Sequence, residues 1–149
     1  MIEINNESGV EVDELGVLQL AEFALKSLRI HSAAELAILF VDEDAMTDLH
    51  VRFMDLPGPT DVMSFPMDEL RAPEDGEEPP RGVLGDIVIC PQFTSAQAPE
   101  NGRDPHEEIE YLLIHGLLHL LGHDHAEPAE KAVMFGLNDQ IIADWRRRK

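Results

Sequence analysis

Three histidines near the end of the chain, His115, His119 and His125, carry the chemistry most readily read from it. His115 and His119 are four residues apart, so on a helix they stand one turn apart on one face and can grip a single ion. Gly122 follows, and glycine readily takes the left-handed conformation that ends a helix; the chain then reverses and brings His125 back toward the same point. Three neutral imidazoles with a fourth position open describe a catalytic zinc site, whereas a structural site is closed by four ligands, usually including thiolates. Cys90 is the only thiol, which excludes a cysteine-rich cage and any intrachain disulfide and fits a reducing compartment. The expected cofactor is one Zn2+ ion, able to lower the pKa of a bound water to roughly 7. His31, His50 and His106 have no partner at ligand spacing and read as ordinary histidines.

The elements that must position these ligands are legible around them. Asp104 caps a helix, Pro105 suits its first position, and Glu107 stands where a capping box places an acid. Ile109, Leu112, Leu113, Leu117, Leu120 and Leu121 make this helix apolar over most of its circumference, as a core helix requires. Before it, Ile2 and Ile4 alternate with polar residues as in a short strand. Asp13 to Leu28 carries Leu15, Leu18, Ala21, Leu25 and Leu28 at helical spacing. Leu36 to Val41 reads as a buried strand, and Asp44 as the cap of a helix that runs to Met54 and stops before Pro57. Val62 to Met67 and Leu84 to Cys90 read as two further strands, and Pro91 as the start of a short helix. The segment from Pro73 to Gly82, rich in Pro, Gly and Glu, reads as an excursion between strands. The pattern predicts an α+β fold over residues 1–149 as a single domain, with helices packed on a small mixed sheet.

At 149 residues and 44% hydrophobic content the chain has enough apolar surface for one core. No apolar run is long enough to span a bilayer, and Met1-Ile-Glu-Ile-Asn-Asn does not open a signal peptide, so a soluble cytoplasmic protein with no membrane partner is expected. The formal charge of −19 argues against an extended electrostatic grip on nucleic acid. It is unevenly spread: Asp68 to Glu78 reads as an acidic solvated loop, and Arg146, Arg147, Arg148 and Lys149 as a helix end complementing the helix dipole.

The spacing from His115 to His125, His-x-x-x-His-x-x-Gly-x-x-His, is that of the metzincin proteases, so the helix is metzincin-like. Those enzymes place a glutamate base directly after the first histidine; here that position is Gly116, which can take no proton. The full segment His115-Gly-Leu-Leu-His-Leu-Leu-Gly-His-Asp-His125 instead resembles the signature of the YbeY endoribonucleases, matching every fixed position. Two further blocks resemble that family, Pro59-Thr-Asp-Val-Met-Ser-Phe-Pro66 and Gly85-Asp-Ile-Val-Ile89.

The resemblance implies a bacterial, cytoplasmic, zinc-dependent enzyme that cleaves single-stranded RNA. It also implies roles in 16S ribosomal RNA 3′-end maturation and ribosome quality control, with the small subunit or its assembly factors as partners. It makes His115, His119 and His125 both metal ligands and catalytic residues. Many members carry a basic residue five positions before the proline of the second block, proposed to be catalytic; here Met54 stands there. Arg52, on the same predicted helix, is the candidate substitute, although two residues turn a helical side chain well away from its former direction. Asp124 is a candidate to orient a ligand histidine, His123 a turn or cleft-wall residue, and Ser64 and Asp86 candidates to line the cleft. The alternatives are a metzincin-like peptidase or other metallohydrolase, and a non-catalytic ribosome-associated protein in which zinc pins the C-terminal loop.

Overall fold

The structure, a computed structural model, describes residues 1–148; Lys149 of the basic tail lies outside them. Four strands form one sheet in the order β1-β2-β4-β3, with β1 Ile2–Asn6, β2 Glu35–Phe40, β3 Val62–Pro66 and β4 Val83–Ile89. β1, β2 and β4 run parallel and β3 pairs antiparallel to β4, so the sheet is mixed, as expected. The helices are α1 Glu14–Ser27, α2 Glu43–Met54, α3 Pro91–Gln97, α4 Pro105–Leu120 and α5 Pro128–Arg147, with a 3-10 turn at Ala98–Asn101 between α3 and α4.

α4 is the helix around which the rest is arranged. Its capping box is complete: the Asp104 carboxylate accepts from the Glu107 amide, and the Glu107 carboxylate accepts from the Asp104 amide. Leu113, Ile114, Leu117, Leu118 and Leu120 have no solvent exposure, and each such side chain contributes about 1.5–3 kcal/mol of burial. They meet Ile38 and Phe40 of β2, Ile87 and Ile89 of β4, and Leu20 of α1 in one core. A helix held on this many sides is a rigid base for a site.

Three local readings are corrected. The buried face of α1 is Val17, Leu20, Ala21, Ala24 and Leu25, while Leu15 is 64% exposed. The helix is rotated from the simplest leucine stripe because the small Ala21 and Ala24 allow close packing. The cap of α2 is Asp42, which accepts from the Ala45 amide, and Asp44 lies in the first turn. α5 is a twenty-residue helix that the sequence signalled only through its basic end, since no capping side chain marks its start. It is fastened to α4 by Trp145, whose indole N–H donates to the buried Glu110 carboxylate at 3.0 Å. Arg146 reinforces this through Glu107 at 3.3 Å.

Candidate metal centre and cleft

One face of α4 opens onto a cleft of about 860 Å³, floored by β3 and flanked by the end of α2. Glu108, Tyr111, Leu112, His115 and His119 all line it, a stripe at the i, i+3, i+4, i+7, i+11 positions that share one side of a helix. His125 lines the same cleft, so the three sequence-predicted ligands converge.

Their ligand atoms all lie within 4.8 Å of one another. Two nitrogens bonded to one tetrahedral zinc at about 2.0–2.1 Å are separated by about 3.3 Å. The His115 and His119 Nε2 atoms stand 3.1 Å apart, close to that value. Gly122 permits the return of the chain: its φ of 93° is left-handed, and the backbone closes with the His123 amide donating to the Leu118 carbonyl. The loop then orients the ligands. His119 Nδ1 donates to the His123 carbonyl oxygen at 3.0 Å, which leaves the Nε2 lone pair of the neutral ring facing the cluster. Asp124 accepts from the His125 amide at 2.7 Å, so it fixes the backbone of the ligand loop, not an imidazole.

Electrostatics favour the neutral form of His115 and His119. Burial, with His119 and His125 beside it, lowers the His115 pKa to about 4. Burial also lowers His119, against the opposing hydrogen bond to the His123 carbonyl. His123 is lowered by burial and by Arg71. Two imidazole nitrogens 3.1 Å apart, with a third ring at the same point, fit a divalent cation.

Gly116 has a structural role besides lacking a base. A Cβ there would meet Ile87 Cγ2 at 2.9 Å and Ser64 Oγ at 3.1 Å, so α4 can lie this close to β3 and β4 only with glycine. Ser64 uses the proximity to donate its hydroxyl to the Gly116 carbonyl at 3.2 Å. Ser64 lines the cleft; Asp86 is not among the lining residues. Arg52 lies outside as well: it pairs with Asp48 at 3.1 Å on the exposed side of α2, while Phe53 and Met54 line the cleft.

The sequence reading missed a polar wall next to the histidines. Glu108, with 1% side-chain exposure, accepts from Gln97 at 2.8 Å, Asn101 at 2.7 Å and Arg103 at 2.8 Å. Gln97 also donates to Asp61, which belongs to the second motif block, at 2.9 Å. The Arg103 guanidinium lies over the Tyr111 ring, 3.7 Å from its centroid. His50, read as ordinary, also lines the cleft, with Nδ1 donating to the Gly58 carbonyl at 2.9 Å.

The chain is thus an α+β protein whose three-histidine cluster, at the end of a buried helix and opening on a polar cleft, could hold a metal ion. The family described as Endoribonuclease YbeY matches residues 3–146, and the chain belongs to it. An endoribonuclease YbeY of Cutibacterium acnes is 66% identical over 145 residues, covering 97% of this chain and 94% of the relative. That of Streptomyces griseus is 57% identical over 148 residues, covering 97% and 90%. The solution structure of TM1509 from Thermotoga maritima has the same fold, with a TM-score of 0.61 at 24% identity, covering 98% of this chain and 92% of that one. No described helix is long and apolar enough to cross a membrane.

Proposed function

We propose that this protein is a zinc-dependent endoribonuclease that cleaves single-stranded RNA in the bacterial cytoplasm, acting in 16S rRNA 3′-end maturation and ribosome quality control on the small subunit or its precursors. The observation that carries the reading is the convergence of His115, His119 and His125 at coordination spacing inside an open cleft, in a chain belonging to a family of that activity. When bound there, zinc supplies Lewis-acid stabilisation of a phosphodiester and activation of water near neutral pH. The protein's own part is to present three imidazole ligands and no carboxylate, so the ion's charge stays available to an anionic substrate despite the acidic surface. His119 is held in the ligating tautomer by the His123 carbonyl. The peptidase alternative loses support because position 116 has no room for the glutamate that such enzymes place there.

The test pairs metal analysis of the purified protein with a 16S 3′-end assay in a deletion strain. One zinc per chain is expected, with processing restored by the wild type and not by a folded His119→Ala variant. Full processing by that zinc-free variant would sink the reading, and metal-dependent cleavage of peptides with RNA left intact would redirect it.

A further inference from the structure

Among the described residues lining the cleft, Arg103 is the sole Lys or Arg, although its position was not marked by any motif. Its placement is built in several layers. Glu108 is held in the interior by three side-chain donors and fixes guanidinium Nη1. Tyr111 lies under the guanidinium plane. Nη1 donates to Glu108, and the guanidinium also lies within hydrogen-bonding reach of the Tyr111 side chain. A guanidinium carries five donors in a rigid fork suited to two oxygens of one phosphate, and stacking on an aromatic ring holds that fork at small entropic cost.

The position relative to the metal ligands is equally defined. Tyr111 precedes His115 by four residues on α4, a rise of about 6 Å at 1.5 Å per residue. That displacement is comparable to the step between neighbouring phosphates of a polynucleotide. Arg52 offers no such arrangement, being on the exposed face of α2 and paired with Asp48. Met54 reaches the cleft without a charge.

We infer that Arg103 is a phosphate-binding residue of the cleft, its guanidinium donating to the non-bridging oxygens of the RNA phosphate next to the one at the histidine cluster. Glu108 and Tyr111 are positioning residues that act through it. The inference rests on the RNA-cleaving reading above, and its test separates the two.

Zinc-loaded wild type, R103Q and R103K are compared on a single-stranded RNA oligonucleotide, with zinc content and melting temperature measured on each. A parallel series of oligonucleotides carries one uncharged methylphosphonate linkage, moved along the chain. R103Q should keep its zinc and raise KM roughly tenfold to a hundredfold, the range for a hydrogen-bonded charge. R103K should recover part of that loss, because it keeps the charge without the fork. The wild type should be weakened by methylphosphonate at one linkage beside the cleaved one, and R103Q should be indifferent to that substitution. If R103Q does not fold, the paired R103Q/E108Q variant removes both charges together and should show the same indifference. An R103Q or paired variant with wild-type KM, or one as sensitive to methylphosphonate as the wild type, overturns the inference while leaving RNA cleavage intact. A loss in R52Q equal to that in R103Q overturns it too. A zinc-loaded wild type that neither binds nor cuts RNA overturns both this inference and the reading beneath it.

Discussion

Glu108 and His115 stand seven residues apart on the same side of α4, and both put polar atoms into a wall of one cleft. Glu108 is accommodated in the interior because Gln97, Asn101 and Arg103 aim N–H groups at it. His115 is in the opposite situation. Burial and the two neighbouring imidazoles suppress its protonation, and the atom nearest its Nε2 is another ring nitrogen. The first end of the stripe is satisfied by amide and guanidinium donors; the second sets one ring nitrogen against another, a place that a cation could take. Buried polar groups that the fold leaves facing one another mark where a bound species belongs.

The largest test of this contrast removes a ligand. His119→Ala should abolish zinc binding and lower RNA cleavage by roughly a thousandfold or more, equivalent to about 4 kcal/mol of lost stabilisation. Metal-free, the variant should melt within a few degrees of the metal-free wild type, because the ring it deletes holds few protein partners, the His123 carbonyl and the His115 ring. A large drop in metal-free stability would place the histidine end in the same category as Glu108.

The matching change at the satisfied end has the reverse signature. Glu108→Ala removes a buried acceptor of three hydrogen bonds and strands Arg103, and should cost about 3 kcal/mol of stability. Denaturant unfolding measures this. The variant that folds should still bind zinc, since no ligand is touched.

The unequal legibility of the two ends has a physical basis. The histidine end lies in one continuous stretch: helical spacing, a helix-ending glycine and a third ligand, all local and all visible as residue types. The α4 capping residues were equally local, and the structure has them as read. The satisfied end joins α3, the 3-10 turn and α4, and its pairing of Gln97, Asn101 and Arg103 with Glu108 depends on how a turn folds. One signal was available: extending the stripe backward from His119 and His115 passes through Tyr111 and Glu108. The same limit explains α1, where two alanines rather than Leu15 face the core, because close packing favours small residues that a leucine count ignores. Arg52, by contrast, points away from the cleft as the two-residue offset on its helix implies.

Gly116 sits between the two ends and tests whether the stripe moves as a unit. Gly116→Ala pushes a methyl group against the buried Ile87 and against Ser64. Overpacking costs about 1–3 kcal/mol, and replacing a helical glycine returns about 1 kcal/mol, so a net loss of up to about 2 kcal/mol is expected. Because Ser64 ties β3 to the Gly116 carbonyl, the same variant should weaken zinc retention against a chelator. A variant as stable as wild type would show that α4 can lift from the sheet without cost.

The smallest effect is electrostatic, and it belongs to the histidine end alone. The His115 pKa is about 4 in the folded chain against 6.5 in its unperturbed state. The unfolded chain therefore binds the extra proton first as pH falls. Stability from keeping this ring neutral is fully present above pH 6.5 and is lost progressively as pH falls from there through about 4. Between pH 7 and pH 5.5, metal-free protein should lose no more than about 1 kcal/mol by this route, because solvent reaching part of the ring screens the effect. His115→Gln should flatten that part of the profile in metal-free protein, whereas Glu108→Ala should leave it in place. Zinc should suppress it as well, since an occupied Nε2 cannot take the proton until the ion leaves. A profile that His115→Gln leaves unchanged would mean that the proton-sensitive group is elsewhere, and that burial alone does not distinguish the ligand end of the stripe from the rest.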